Sequence, residues 1–386
     1  MMEKIHIGCV IGTRPELIKM APVIFRLEQC PWVKLSVINT AQHRNLLDDL
    51  LTFFRIIPNV DLNSMTVNQT LGTLTGNLCS KFELLVETTT FDVLLAAGDT
   101  TTVFVSSLIA FYHHIKFGHI EAGLRSYNSG EPFPEEMNRV LTAPLSTWHF
   151  APTLAEKENL LRENIPASKI IVTGNPVIDT LYWTLENTVD RGDFDELNNI
   201  VMVTAHRREN FGQPLINICS AIVNLSQKFD VNFVFPVHPN PKVQEVTVSL
   251  LKDRPRIHLL PPLRYDEFVH LMSRSIFILT DSGGIQEEGP ALGKPILVLR
   301  NTTERPAIIN EGVGLLVGTE EQNIIDAVTR LLDHKDLYHS MVKNTSPYGD
   351  GYASERIVEF LQQTLLSQSL EYQRLESNST NCKLKD

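Results

Sequence analysis

The chain has 386 residues, of which 43% are hydrophobic, and it carries a formal net charge of −11. A chain of this length exceeds one typical hydrophobic core, so we expect two globular domains. The acidic balance argues against a nucleic-acid-binding protein, because such proteins present a basic surface.

Short apolar runs alternate with helix-sized segments along the whole chain. The first set of predicted strands reads IHIGCVI, LSVIN, DVLLAA, FGHI and WHFAP. The second set reads IIVTG, NIVMVTA, NFVFPV, RIHLL, SIFILT, PILVL and GLLVG. Short, β-branched and nearly all-apolar strands are typical of buried parallel sheets covered by helices. The sequence therefore predicts an α/β protein with doubly wound sheets.

The boundary between the two domains is predicted within residues 172–190, where a strand gives way to a polar stretch. This division assigns residues 1–172 to an amino-terminal domain and residues 173–352 to a carboxy-terminal domain. Start signals predict a last long helix at about 353–376. The polar tail, residues 377–386, is predicted to be disordered.

The five cysteines are scattered, without CxxC or Cys/His spacing. This pattern predicts neither a zinc site nor a disulfide framework. The chain also lacks a signal-peptide pattern and any apolar run long enough to cross a bilayer. We therefore expect a soluble, cytoplasmic protein that binds neither membrane nor nucleic acid.

Three acidic residues of the first half stand where chemistry is expected in an open α/β sheet. Asp99 follows a strand in VLLAAGDTTT, Glu121 follows the next strand in FGHIEAGLRS, and Glu135 opens a helix in PFPEEMNR. Ligands of such folds bind at the carboxyl ends of strands, near the switch in strand order. Acids at that edge can move protons on a bound substrate, so their positions indicate an enzyme.

The first strand ends in GTRPELIK, which has features of an anion-binding turn. Gly12 permits a tight turn, and a proline suits the first position of a helix. Arg14 and Lys19 then lie near the start of that helix. The same pattern also fits a plain turn between a strand and a helix with a solvated arginine.

Two segments of the second half also indicate a phosphate site. In SIFILTDSGGIQEEG a strand runs through Ser282, Gly283 and Gly284 into a helix, whose free amide groups would cradle an anion. Glu288, about one turn further, could accept from ribose hydroxyls. His206 ends a strand in MVTAHRREN and could donate to a phosphate. One of the two arginines after it is expected to be structural.

Taken in order, these motifs resemble those of the bacterial non-hydrolysing UDP-N-acetylglucosamine 2-epimerases. They include GTRPELIKMAP, TAQHRNLLD, GDTTT, GHIEAGLRS, PEEMNR, TAHRREN, VHPNP, LTDSGGIQEE and PYGDGYASERI. The resemblance implies a GT-B-like fold of two Rossmann-type domains with an interdomain cleft. It also implies a homodimer with no nicotinamide and no metal, whose product serves surface polysaccharide synthesis.

The resemblance implies inversion of the sugar at C2 through loss of UDP, a 2-acetamidoglucal intermediate and re-addition of UDP. Asp99 is the first candidate acid/base, and Glu121 or Glu135 is the second; the sequence does not say which serves which face. Further residues would hold the departing nucleotide or stabilise its charge. These are Arg14, Lys19, His206, Phe268, Ser282, Gly283, Gly284 and Glu288.

Some members of the family bind UDP-N-acetylglucosamine at a regulatory site beside the substrate. The residues that match this pattern are Gln42, His43, Gln69 and His238. Asn68 stands where those members often carry an arginine. Loss of that cation is expected to weaken activation by substrate.

Two other functions remain open at this point. A hydrolysing 2-epimerase would release N-acetylmannosamine and UDP, although this chain keeps the GDTTT and AQHR segments expected of the non-hydrolysing branch. A GT-B glycosyltransferase would move the sugar to an acceptor, and the fold alone does not exclude it. The three carboxylates argue against a transferase, because sugar transfer needs no acid pair around C2.

Overall fold

The computed structural model describes residues 4–42, 44–65, 69–342 and 346–382. Its internal contacts divide the chain into two compact units. Unit 1 comprises Met1–Pro176 together with Gly351–Asp386, and unit 2 comprises Val177–Asp350. The division falls after Pro176, which lies within the stretch 172–190 named in the sequence analysis.

Unit 1 contains a sheet of seven parallel strands in the order β3-β2-β1-β4-β5-β6-β7. The strands are β1 (Ile5–Ile11), β2 (Val33–Asn39), β3 (Val60–Asp61), β4 (Val93–Ala97), β5 (Lys116–Ile120), β6 (Trp148–Ala151) and β7 (Ile170–Val172). The order reverses between β1 and β4, which is the switch point where ligands bind in such sheets.

Six helices connect these strands. They are α1 (Arg14–Glu28), α2 (Arg44–Phe54), α3 (Leu71–Thr88), α4 (Thr101–Tyr112), α5 (Glu135–Leu145) and α6 (Leu154–Arg162). Threonines start three of them: the hydroxyl groups of Thr70, Thr100 and Thr153 accept backbone amides at the beginning of α3, α4 and α6. Strand β4 is buried on both faces, so its VLLAA run shows no alternation.

Unit 2 contains a sheet of six parallel strands in the order β10-β9-β8-β11-β12-β13. Its helices and strands are α7 (Pro176–Asn187), β8 (Ile200–Thr204), α8 (Gln213–Lys228), β9 (Asn232–Pro236), α9 (Pro241–Leu251), β10 (Ile257–Leu260), α10 (Tyr265–Arg274), β11 (Phe277–Thr280), α11 (Gly283–Ala291), β12 (Ile296–Val298), α12 (Ala307–Asn310), β13 (Gly314–Leu316), α13 (Glu321–Asp333) and α14 (Lys335–Met341). The switch point lies between β8 and β11. The predicted α/β class with two doubly wound parallel sheets is confirmed.

One predicted strand belongs to the other sheet. The run IIVTG had been grouped with the second set, but β7 pairs with β6 and completes the sheet of unit 1. An apolar run indicates that a strand is buried, but it does not indicate the strand with which it pairs. The short β3 escaped the sequence analysis because two residues give no periodic pattern.

The last helix, α15 (Ala353–Cys382), belongs to unit 1. The ring of Phe360 packs edge-on against Trp148 and Phe150 of β6, at centroid distances of 5.8 and 5.7 Å. The helix extends to Cys382, and the disorder predicted for residues 377–386 stays a prediction.

The tail residues 383–386 lie outside the described part of the chain. Among the described residues, none of the helices combines the length and hydrophobicity needed to cross a bilayer.

Two buried histidines lie side by side in the sheet of unit 1. His119 on β5 is paired in register with His149 on β6. His119 Nε2 donates to the carbonyl of Gly98 over 2.7 Å, whereas both ring nitrogens of His149 have no partner among the described residues. Burial lowers the pKa of His119 to about 4 and that of His149 to about 3. Both rings are therefore neutral in the folded chain near pH 7.

We predict that these rings make the protein sensitive to acid. Histidine in the unfolded chain has a pKa near 6.5, whereas the pKa of the folded His149 is much lower. Below pH 6.5 the unfolded chain therefore binds more protons than the folded chain, and the free energy of unfolding falls. The variant His149→Leu should lose about 2 kcal/mol less stability between pH 7 and pH 5 than the wild type. Urea unfolding at both pH values measures this difference. The exposed His334→Leu control should respond as the wild type does, and an equal response of His149→Leu would contradict the prediction.

Candidate active-site residues in the two units

Glu121 lies at the carboxyl end of β5 with a positive φ of 63°, a strained conformation for a residue other than glycine. Its side chain is buried, and both carboxylate oxygens have partners. Lys19 Nζ, on α1, lies 2.6 Å from Oε1, and Asn175 Nδ2 donates to Oε2 over 2.8 Å. A predicted acid and a predicted cation are thus direct partners, although 102 residues separate them.

Asp99 follows β4 and is half-buried beside α5. Its carboxylate forms an ion pair with Arg139, and its carbonyl accepts from Asn138 Nδ2 over 2.9 Å. The preceding Gly98 has a φ of 92°, and a Cβ there would lie 3.7 Å from Lys19 Nζ. The turn that carries Asp99 therefore passes close to the Lys19 ion pair described above.

The structure separates the roles of Glu135 and its neighbour Glu136 at the start of α5. Glu136 is buried and accepts the backbone amides of Ser126 and Tyr127 over 3.0 and 2.9 Å, so it fixes the loop before the helix. Glu135 is half-buried, and its carboxylate makes no hydrogen bond or ion pair with any residue that the structure describes. Its oxygens are available to a ligand.

Glu16 is a buried acid that the sequence analysis did not single out. One carboxyl oxygen accepts the backbone amides of Gly12 and Thr13 over 2.6 and 2.9 Å. The other accepts from the hydroxyl of Thr100, directly after Asp99. This one side chain joins the turn after β1 to the turn after β4, at the switch point of the sheet.

The environment of Glu16 raises the pKa of its carboxyl group to about 7. Burial is the largest cause, and the nearby charge of Asp99 acts in the same direction, while the hydrogen bonds from Thr100, Gly12 and Thr13 oppose it. A glutamate three residues after Thr13 at a helix start reads as a capping residue. The sequence pattern does not show the contact with Thr100, because only the folded chain brings the two residues together.

Arg14 and Gly12 form the predicted anion-binding turn of unit 1. Arg14 is the first residue of α1 and is half-buried. A Cβ at position 12 would collide with the hydroxyl groups of Thr40 and Thr102, so the turn requires glycine. Arg14 thus begins a helix whose next turn carries Lys19.

The predicted regulatory residues are described only in part. Gln42 is half-buried, and its Oε1 accepts from the hydroxyl of Thr102 over 3.0 Å. Gln69 is also half-buried. His43 and Asn68 lie outside the described residues. The regulatory site therefore stays a prediction.

In unit 2, His206 follows β8 and meets a second predicted residue, His238. Their rings are nearly parallel, with an interplanar angle of 17° and centroids 5.6 Å apart. The backbone amides of His206 and Arg207 both donate to Oδ2 of the buried Asp281 over 2.9 Å. Asp281 immediately precedes the predicted cradle and was also missed, because nothing in TDSGG indicates its distant partners.

Ser282, Gly283 and Gly284 stand at the predicted cradle. Ser282 is the N-cap residue of α11, and the helix begins at Gly283. A Cβ at Gly283 would lie 2.5 Å from Nη1 of Arg305, whereas a Cβ at Gly284 would make only an ordinary contact with Glu288 at 3.6 Å. The first amide groups of such a helix are suited to an anion.

Glu288 and Phe268 lie close to a shared partner. Glu288 is buried on α11, and its Oε1 accepts from the hydroxyl of Tyr265 over 3.0 Å. Phe268 is half-buried on α10, three residues after Tyr265 and thus on the same helical face. The acid predicted for the ribose thus contacts the helix that carries the aromatic residue predicted for the base.

A buried network of ion pairs supports the start of α11. Glu304 lies 2.6 Å from Arg300, 2.7 Å from Arg305 and 3.0 Å from Arg207. Although burial alone would raise the pKa of Glu304, these guanidinium groups hold it well below its usual range. Arg207 is thus the structural arginine of the pair in TAHRREN, and Arg208 is exposed.

The side chains offer an anion site more readily than a metal site. Among the residues that the structure describes, no three His, Cys, Asp or Glu side chains are placed to hold a metal ion. The start of α11 and the ring of His206 lie instead on loops that follow the neighbouring strands β11 and β8. This arrangement can bind a diphosphate.

Comparison with known proteins decides the family. The model of the UDP-N-acetylglucosamine 2-epimerase family matches residues 26–362. The chain belongs to the UDP-N-acetylglucosamine 2-epimerase family. It is 47% identical over 363 residues to the UDP-N-acetylglucosamine 2-epimerase of Bacillus subtilis, covering 93% of this chain and 96% of that protein. The corresponding enzyme of Neisseria meningitidis is 48% identical, with 91% and 98% covered.

Solved structures agree with this assignment. The crystal structure of UDP-GlcNAc 2-epimerase from Neisseria meningitidis bound to UDP-GlcNAc matches this epimerase-family chain with a TM-score of 0.89 and 47% identity. The match covers 93% of this chain and 100% of that one. The expected GT-B-like fold class is confirmed by this likeness.

We predict that the two glycines at the start of α11 differ in their tolerance of a side chain. Gly283→Ala forces a methyl group against the buried guanidinium of Arg305 and should destabilise folding by about 1–3 kcal/mol. It should also weaken binding of UDP, which calorimetry measures. Gly284→Ala is the matched control, and it should leave folding unchanged or stabilise it by up to about 1 kcal/mol. Equal stabilities of the two variants would contradict the prediction that position 283 requires glycine and position 284 does not.

Proposed function

We propose that this chain interconverts UDP-N-acetylglucosamine and UDP-N-acetylmannosamine without net hydrolysis, by inverting the sugar at C2. Its relative from Neisseria meningitidis is described as bound to UDP-GlcNAc, which supports a UDP-sugar as the ligand here. The observation that carries the proposal is the pair of acids Asp99 and Glu121. They follow the neighbouring parallel strands β4 and β5 and are held by different partners.

Inversion at C2 requires a proton to leave one face of the ring and another to return to the opposite face. The C2 proton is not acidic in the ground state, but departure of UDP from C1 places positive charge on the ring and eases its release. A 2-acetamidoglucal is then the intermediate, and protonation on the other face precedes return of UDP. Two acid/base groups in distinct environments suit this chemistry.

The surroundings of the two acids differ in a way that supports separate roles. Asp99 is paired with Arg139, and a guanidinium does not give up its proton. Within that pair, only Asp99 can exchange a proton with a substrate. Glu121 touches the ammonium of Lys19, which can share a proton with it. Glu135, with its available oxygens, remains the alternative to Glu121 as second group.

Each unit, taken by itself, has groups that we propose can bind parts of UDP. In unit 1 these are the cations Arg14 and Lys19. In unit 2 they are His206, the amide groups at the start of α11, Phe268 against the base and Glu288 at the ribose. Positive charge and oriented amides stabilise a departing diphosphate, and keeping it bound favours re-addition over loss to water.

Incubation with UDP-N-acetylglucosamine in deuterated water separates the possible reactions. Deuterium at C2 of a sugar still attached to UDP supports the proposal. Free N-acetylmannosamine and UDP would instead indicate a hydrolysing epimerase. No exchange in the absence of an acceptor would indicate a transferase or a protein that only binds the nucleotide sugar.

We predict that Asp99→Asn keeps nucleotide binding and loses turnover. The amide occupies the same volume but cannot take up the C2 proton, so kcat should fall by about 100-fold or more. Binding of UDP, followed by calorimetry, should change little. Asp48→Asn, at an exposed position on α2, is the matched control and should retain wild-type turnover. Unchanged turnover of Asp99→Asn would remove Asp99 from the mechanism.

We also propose that the chain forms a homodimer, as the resemblance implies. Leu84 near the end of α3 and Phe111 and Tyr112 at the end of α4 are exposed by 63%, 57% and 62%. The hydrogen bond between His113 Nε2 and Glu83 Oε1, at 2.8 Å, joins these helix ends. An apolar group of this kind on neighbouring helices suits contact with a second copy.

We predict that Phe111→Asp weakens this association. Burial of a carboxylate in an apolar contact is unfavourable, so the variant should elute as a monomer in size exclusion with light scattering, where the wild type elutes as a dimer. Leu154→Asp, at another exposed leucine of unit 1, serves as control and should stay dimeric. A dimeric Phe111→Asp protein would argue against this surface.

Two features stay predictions. The cytoplasmic location follows only from the sequence. The use of the product in surface polysaccharide synthesis is implied by the family resemblance.

A further inference from the structure

Asp281 is a fully buried carboxylate that no role above requires. It lies between β11 and the start of α11. Its Oδ2 accepts from the backbone amides of His206 and Arg207 and from Asn210 Nδ2, each over 2.9 Å. These contacts fix the loop after β8 against the end of β11.

The second oxygen of Asp281 points to the ring of His206. Oδ1 lies 3.3 Å from His206 Nδ1, the two atoms are not aligned as a hydrogen bond, and Oδ1 has no hydrogen-bond partner among the residues that the structure describes. A buried carboxylate oxygen without a donor is unfavourable. The Nδ1–H group of His206 is the donor at hand, so the contact selects the ring form with its proton on Nδ1.

The stacked His238 has the opposite arrangement. Its Nδ1 faces the backbone amide of Asn240 at 3.2 Å, which leaves the proton of the neutral ring on Nε2. Burial lowers the pKa of His238, and the neighbouring His206 lowers it further, against the opposing charge of Asp281. Two stacked rings that both carry charge repel each other, and Oδ1 of Asp281 lies beside the ring of His206.

We propose that Asp281 is a positioning residue that holds the Nδ1 proton of His206, so that His206 offers Nε2 to the diphosphate. This rests on the function proposed above. A proton taken up from solvent at Nε2 makes the ring a charged donor to the departing UDP, and the buried Asp281 stabilises that charge. Arg207, the next residue along the chain, is paired with Glu304.

A first experiment tests the tautomer without any ligand. Nitrogen-15 NMR of the full chain, labelled at histidine, distinguishes a proton on Nδ1 from one on Nε2, and the His206→Gln spectrum assigns the signal. The wild type should show neutral His206 with its proton on Nδ1. Asp281→Asn should reverse this, because its amide N–H faces Nδ1 while its oxygen still accepts the three other donors. A wild-type ring protonated on Nε2 would overturn the proposal, whether or not the variant folds.

A second experiment measures the consequence for the reaction. Asp281→Asn should lower kcat/KM for the UDP-sugar by about 100-fold. The pH at which kcat/KM declines on the alkaline side should move down by about one unit. A pH profile that superimposes on the wild type would refute the proposed role.

Asn210→Ala provides the matched control. It removes one donor from Oδ2 of Asp281 and leaves the side that faces His206 unchanged. It should lower stability but keep the tautomer and the pH profile of the wild type. If both variants shift the profile alike, Asp281 acts only by supporting the loop. A wild type without epimerase activity would refute the proposed function while the NMR result still tests the tautomer.

Discussion

The carboxyl group of Glu16 is the contact on which the arrangement of unit 1 depends. It accepts from the turn after β1 and from the turn after β4, the two strands at which the sheet changes direction. Arg14 begins the helix that carries Glu16, and Asp99 precedes its partner Thr100. Burial of an acid is unfavourable, and three donors offset it in part, which leaves a pKa of about 7. The reactive groups of unit 1 are thus held by a side chain that itself titrates near neutrality.

Unit 2 repeats this device with a different residue. Asp281 is buried at the switch between β8 and β11, and it too accepts two consecutive backbone amides from the turn after the first strand of its sheet. In unit 1 the carboxylate comes from the helix after that strand, whereas in unit 2 it comes from the neighbouring strand. In both sheets a buried carboxyl group therefore stabilises the turn nearest the candidate ligand groups.

Much of the fold, and the types of the candidate site residues, could be predicted from the sequence. Uninterrupted apolar runs such as VLLAA identified the buried strands, and the positions of Asp99 and Glu121 after such runs placed them at one edge of the sheet. Pairing was less accessible, since IIVTG looks the same in either sheet. The roles of Glu16 and Asp281 could not be predicted from the sequence. Their partners lie 84 and 75 residues away, and only the folded chain brings them together.

The parallel rings of His206 and His238 connect a residue predicted for catalysis with one predicted for regulation. With centroids 5.6 Å apart, the two rings feel each other's charge directly. A positive charge on one ring makes a positive charge on the other less favourable, since adjacent cations repel. Thermodynamic reciprocity then requires that occupancy at either ring alters affinity at the other. An inhibitor designed against one of these histidines would consequently compete with ligands that never touch the same atoms.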